Sequence, residues 1–377
     1  MAILDPAIRL GVSFSFRNSL RRAVIVAGLG LLTILPASVW AADMLKGAGS
    51  SAAAPVYRIW AQEYRKSGGE LIEYDPVGSG AGMTSIRKEQ VDFGASDVIA
   101  KASDLTRDGL VMFPTVISGV VPVVNLPRTR VPLRLDGEVL ARIFLGEISH
   151  WNAPEIAALN PGESLPNTPI RVVCRSDSSG TTYHFSDYLN KLSAPWKARF
   201  GVANKHEWPS SFIAVKGSGE VSKAVRNTPG AIGYIDYNYV LDDALVGVQM
   251  RNAEGRFVEA SAESFSQAVV KSHWFSSGDF SGTLTNMPGE GSWPIAMGTY
   301  VAMQKVAGDP ARAAQVLRFF TWAYANGNAL ARQAKFVPLP EKVQAKAFRE
   351  IASIKGKQGE LIGFDSLRVL LAGKTTR

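Results

Sequence analysis

Beyond residue 43, short apolar runs alternate with segments whose apolar positions recur every three to four residues. Met44–Gly47 is a short strand-like run, and over 52–66 Val56, Ile59, Trp60 and Tyr64 fall at helical spacing. Leu71–Val77 predicts a strand, 81–90 a helix with Met83 and Ile86 turned inward, and 91–95 another strand. A βαβαβ start of this kind implies a parallel sheet covered by helices. Further on, Leu135–Leu145 predicts a helix capped by Asp136 and ended at Gly146. Pro169–Cys174 and Gly230–Ile235 predict strands, and Thr181–Leu192 a helix. Val246–Met250 and Arg256–Ala260 predict two strands joined through 252–255. Ala262–Lys271, Pro310–Ala325, Asn328–Ala334 and Glu341–Ile354 predict helices. After Lys355 the pattern allows either an added helix or an unstructured end.

Two apolar runs, Val116–Val124 and Pro294–Met303, are too long for one small strand and are candidate crossings between domains. The chain has 377 residues, whereas single cores stop growing near ~250–300. The expectation is therefore an α/β protein of two domains. The first is built from both ends of the chain, 43–120 and 295–377, and the second from 121–294. Two crossings make a hinge, and ligands bind in clefts between domains.

The first 42 residues predict a secretory signal. Arg9, Arg17, Arg21 and Arg22 precede the apolar run Ala23–Leu35, which Pro36 breaks, and Ala41 or Ala42 offers a cleavage point. The run is short for a membrane span, although an uncleaved anchor is the alternative. The signal implies a secreted protein. Removing 1–42 takes away four Arg and one Asp, so a formal +8 falls by 3 to +5. That mild excess suits anionic ligands in general and is too diffuse to argue for nucleic acid. A single cysteine, Cys174, excludes an intramolecular disulfide.

Candidate chemistry lies in three strand-to-helix turns: Gly47–Ser51, Gly78–Gly82 and Asp177–Thr181. Glycine permits close approach to the backbone, helix N-termini offer unpaired N–H donors, and Ser and Thr add O–H donors. Taken alone, each of these turns is more simply an ordinary N-cap or turn. Three of them over two domains point to an oxyanion. Arg175, two residues before Asp177, ends an apolar strand. Its fork suits bidentate oxyanion binding braced by Asp177, or else a purely structural ion pair. Asp97 ends the strand-like Val91–Asp97 segment, where it either caps the next helix or accepts a proton that the anion carries.

The segments GAGSSAAAPVY, VGSGAGM, VDFGASD, FPTVISGVVPVVN, FLGEISHWN, CRSDSSGTT, PGAIGY and WPI occur in that order. Together they resemble the phosphate-binding proteins of bacterial phosphate ABC importers, the PstS family, from about Gly47 to Lys355. The resemblance implies the two-domain periplasmic binding-protein fold of the type II, flytrap kind. It also implies inorganic phosphate as ligand, with permease and ATPase subunits as partners. A monomer without cofactor or enzymatic activity is expected. It places donors at Ser51, Ser79, Ser179, Gly180 and Thr181, the cationic fork at Arg175 with Asp177 bracing it, and the proton acceptor at Asp97. The family usually shows Thr-Phe-Pro where this chain has Ser51-Ala52-Ala53. Ala52 can still supply a backbone N–H, but the aromatic wall of the cleft is lost.

Other motifs fail. Gly47–Ala52 formally fits a dinucleotide fingerprint, but its strand is short and no acidic ribose partner follows at the usual distance. There is no P-loop, no HExxH and no nucleophile elbow. His184 after Ser179 reads as a helix-surface or core histidine, and Cys174 as a buried strand residue. The rival functions are a secreted phosphatase on the same scaffold and a binder of another oxyanion.

Overall fold

The computed structural model describes residues 44–126 and 132–374, with side chains through Arg368. The predicted signal, residues 1–42, lies outside the described residues.

The first half of the first lobe follows the predicted alternation. Strand β1 (Leu45–Gly49) leads to helix α1 (Ala54–Lys66), β2 (Ile72–Asp75), α2 (Ser79–Arg87), β3 (Phe93–Ser96) and α3 (Ala102–Asp108). β1 pairs in parallel with β2 on one side and β3 on the other. Helix α1 starts two residues later than its periodicity suggests, because Pro55 fits the first turn of a helix and no interior position.

A single strand, β4 (Leu110–Val124), carries the chain out of this unit. All 15 of its residues are buried, which is why its pattern shows no polar alternation. It begins at Leu110, six residues before the apolar run read from sequence. Pro114 hid that extension. The ladder with the return strand Ile295–Gln304 slips by one residue beside Pro114, between Thr299 and Tyr300, and this absorbs the missing donor. The sheet order is β2, β1, β3, Ile295–Gln304, β4, Ala231–Asp236, Arg171–Arg175, Ile213–Val215.

Two hydrophobic cores flank the crossing strands. Leu45, Trp60, Phe93, Phe113 and Phe320 belong to the first. Leu140, Phe144, Trp151, Phe185, Trp196 and Tyr234 belong to the second. β4 contributes Leu110–Phe113, Val116 and Ile117 to the first core, then Val120, Val121, Val123 and Val124 to the second. The return strand places Ile295 and Met297 in the second and Tyr300–Met303 in the first. This is the two-domain binding-protein architecture, in which β4 and Ile295–Gln304 both run from one core to the other; the residues on each core are termed the first and second lobe. Ala268, Val269, Trp274, Phe280 and Leu284 pack in the first core although they precede the return strand.

The predicted cap of the Gly137–Phe144 helix is present, Asp136 accepting from the Val139 N–H at 2.9 Å. After Lys355 the chain forms the helix Ile362–Lys374, and Ile362 and Leu367 are buried in the first core. Among the described residues no helix is long and apolar enough to cross a membrane.

Candidate anion-binding site

The three predicted turns converge where the lobes meet. Ser79 begins α2, Ser179 caps the Gly180–Leu192 helix by accepting from Thr182 N–H at 3.2 Å, and Ser50–Ala53 links β1 to α1. Gly80 N–H donates across to the Ser178 carbonyl at 3.0 Å, and Gly180 N–H donates to Ser79 Oγ at 3.2 Å. The approach is close enough to demand glycine. A Cβ on Gly180 would lie 2.5 Å from Asp97 Cβ, and one on Gly78, at φ +97°, would lie 2.5 Å from Asp177 Oδ2.

On the second lobe, Arg175 is 1% exposed and grips Asp177 with both arms of its fork, Nε to Oδ1 at 2.7 Å and Nη2 to Oδ2 at 2.6 Å. Burial pushes the Asp177 carboxyl up, but the Arg175 bonds outweigh it and hold the group below the usual carboxylate range. Gly217 N–H adds a bond to Asp177 Oδ1 at 3.1 Å, and Trp208 Nε1–H fixes the Arg175 carbonyl at 2.8 Å. Thus the strand Arg171–Arg175 and two neighbouring elements orient the guanidinium.

On the first lobe, Asp97 does not cap a helix. Helix α3 starts at Ala102 after Lys101, and the Asp97 carboxylate is instead buried among hydroxyls, at 1% exposure. Ser50 Oγ donates to its two oxygens at 2.6 and 2.8 Å, Thr299 Oγ1 at 2.6 Å and Ser79 Oγ at 3.3 Å. Burial, and then the negative charge of Asp236, push its pKa up to about 6 against these hydroxyl bonds.

Asp236, Ser218 and Thr299, and Ser50 within the predicted Gly47–Ser51 turn, are further residues of the candidate site that the sequence reading did not single out. Asp236 is fully buried and accepts from Thr181 Oγ1 at 2.9 Å and Ser218 Oγ at 2.6 Å. Ser218 Oγ also accepts from Arg175 Nη1 at 3.1 Å and lies 2.9 Å from Ser51 Oγ. Because the one Ser218 hydrogen goes to Asp236, Ser51 is the donor in that last bond. A hydroxyl chain therefore runs from Ser51 of one lobe through Ser218 to Asp236 of the other. Two signals were available: Gly217-Ser218-Gly219 repeats the glycine–serine character of the other turns, and Asp236 ends an apolar strand as Asp97 does.

All nine predicted residues lie in this region, with Ala52 placed differently from the rest. It is fully buried in the second core, so its side chain packs inward. The Ser51 carbonyl beside it accepts from Tyr239 OH at 3.3 Å. Cys174 is buried and burial pushes its thiol up to about 12, the state of an inert strand residue. Among the described residues no cluster of His, Cys, Asp and Glu could hold a metal ion.

A family model described as a PBP superfamily domain matches residues 36–326. A phosphate-binding protein PstS of Xylella fastidiosa is 42% identical over 297 residues, covering 78% of this chain and 81% of that one. A PstS of Pasteurella multocida is 41% identical over 321 residues, covering 84% and 93%. The chain belongs to the PstS family of the PBP superfamily. Solved structures share its fold. A high-affinity periplasmic phosphate-binding protein, PfluDING, bound with phosphate aligns with TM-score 0.67 at 22% identity, over 85% of this chain and 97% of that one. A phosphate-binding protein of Stenotrophomonas maltophilia aligns with TM-score 0.58 at 20% identity, over 83% and 94%. The Ser51-Ala52-Ala53 turn carries one hydroxyl, at Ser51, and only methyl groups at the next two positions.

Proposed function

We propose that the chain binds inorganic phosphate in this cleft and hands it to the permease and ATPase subunits of an ABC importer, as a carrier and not an enzyme. The observation that carries this reading is the convergence, where the lobes meet, of a buried and oriented guanidinium, Arg175, and a buried carboxylate without an ion-pair partner among the described residues, Asp97. Arg175, the hydroxyls of Ser51, Ser79, Ser179 and Thr181, and the backbone N–H groups at Ala52 and Gly180 suit a tetrahedral oxyanion. Asp97 suits an oxyanion that still carries a proton. Phosphate does so at neutral pH and sulfate does not. Asp177 braces the fork.

The working division is 43–120 with 295–377 against 121–294, joined by the two crossing strands and able to close like a flytrap. Residues 1–42 would direct the protein to the periplasm, where it acts as a monomer. The test is calorimetry on protein lacking 1–42 with phosphate, arsenate and sulfate, together with X-ray scattering. Phosphate and arsenate should bind and reduce the radius of gyration. Tight sulfate binding would favour another oxyanion carrier, and steady phosphate release from a phosphomonoester would favour a phosphatase.

A further inference from the structure

His184 lies one helical turn beyond Gly180 and is 4% exposed. Its Nε2 is 2.6 Å from the backbone carbonyl oxygen of Asp97. A carbonyl only accepts, so Nε2 carries the proton. Nδ1 has no partner among the described residues, so the bond from Nε2 is the ring's one hydrogen bond there. The bond joins the lobes, since the Gly180–Leu192 helix packs Phe185 and Leu189 in the second core while β3, which runs into Asp97, packs Phe93 and Ala95 in the first. It runs parallel to the Gly180 N–H bond to Ser79 Oγ. One helix thus holds the first lobe at two points a turn apart.

Beside Asp97, a pocket of about 300 Å³ is bordered by Val98, Tyr183, His184 and Tyr300. We propose that His184 is a positioning residue: its Nε2–H bond to the Asp97 carbonyl sets the acceptor carboxylate and latches the lobes closed, slowing ligand release. This rests on the phosphate reading of the cleft.

The latch acts through one atom, which separates it from a packing role. A glutamine amide reaches the position of Nε2, an asparagine amide stops short, and leucine fills the space without donating. In stopped-flow measurements, His184→Leu and His184→Asn should release phosphate about tenfold faster than the parent at an unchanged association rate. His184→Gln should stay within about threefold of the parent. The ligand-free melting temperatures should match, so that a general loss of fold is not the cause. Release from His184→Leu as slow as from the parent, or no rescue by glutamine, would overturn the proposal. A fluorophore pair across the lobes gives a readout that needs no phosphate. The closed population of ligand-free protein should fall in His184→Leu and recover in His184→Gln, and equal populations would reject the latch. If the parent binds no phosphate, the functional reading fails while this second measurement still decides the role of His184.

Discussion

On the second-lobe wall of the cleft, Arg175 is locked against Asp177, and Asp236 gathers the hydroxyls of Thr181 and Ser218. On the first-lobe wall, Asp97 is surrounded by the hydroxyls of Ser50, Ser79 and Thr299, with no cation in its ion pairs among the described residues. On the proposed reading the second wall would supply attraction, because its guanidinium is fixed before a ligand arrives, and the first would supply discrimination, because an unpaired carboxylate repels any anion that cannot offer it a proton. Neither wall alone makes a selective site, and each can be broken separately.

Removing the discriminating charge should have the largest effect. Sulfate and dibasic phosphate match in size and charge, so the shared donors separate them weakly. Facing sulfate, Asp97 is a buried acceptor with nothing to accept. Sites built on a required hydrogen bond reject an analogue lacking it by ~10⁴–10⁵-fold. Asp97→Asn should therefore admit sulfate while losing less phosphate affinity than selectivity. Competition titrations decide it, and continued exclusion of sulfate would move the discriminating group elsewhere. On the opposite wall, Arg175→Ala leaves Asp177, Asp236 and the ligand without their counter-charge. It should weaken phosphate by about 3–5 kcal/mol, and Arg175→Lys should not restore it because one ammonium cannot replace the fork. A lysine variant binding as tightly as the parent would show that the fork is not used.

The contrast also appears in stability. Asp97 is a carboxyl whose pKa is raised on folding from 3.8 to about 6. The folded protein therefore holds the Asp97 proton more tightly than the unfolded chain. Ionised Asp97 costs stability above pH 6, and that cost disappears as pH falls toward 4. The difference of about 2 units corresponds to roughly 3 kcal/mol as an upper bound. Ligand-free Asp97→Asn should be more stable than the parent at pH 8, with the gap narrowing from pH 6 to pH 4. Denaturation at several pH values tests this, and a gap independent of pH would refute it.

Local signals were readable in the chain. Asp136 and the apolar spacing of 310–325 act within a turn or two, and they define their helices without reference to the rest of the fold; Pro55 is as local a signal, but the apolar spacing alone set the expected start of α1 at 52. The glycine–serine turns were readable for the same reason. The partners of Asp97 were not, because they are brought to it only by the sheet. Ser50 is 47 residues away and Thr299 is 202 residues away. Thr299 sits in an apolar strand, where a lone hydroxyl carries no periodic signal. Ser218 was missed together with its helix Gly217–Asn227, whose apolar positions Val221 and Val225 are spaced but few. The start of β4 was masked by Pro114, which sequence rules place outside a central strand and the bulge accommodates.

The smallest predicted effect sharpens the contrast between the walls most finely. Ser50 Oγ donates to both oxygens of Asp97 and accepts weakly from Ala53 N–H at 3.3 Å. Its bonds favour the ionised carboxylate and oppose the effect of burial. Protonated Asp97 carries an O–H and can donate to sulfate, so the parent should begin to admit sulfate as pH falls through about 6. Removing Ser50 removes about 1 kcal/mol of support for the charged form, which corresponds to roughly 0.7 pH unit. In Ser50→Ala the onset of sulfate binding should therefore move upward in pH by about that amount. Phosphate should bind nearly as before, since Thr299 and Ser79 still hold the carboxylate in place. Sulfate competition measured from pH 5 to 8 on both proteins gives the two onsets. Superimposable curves would mean that Ser50 serves only the turn before α1, and that the acceptor wall is tuned by burial alone.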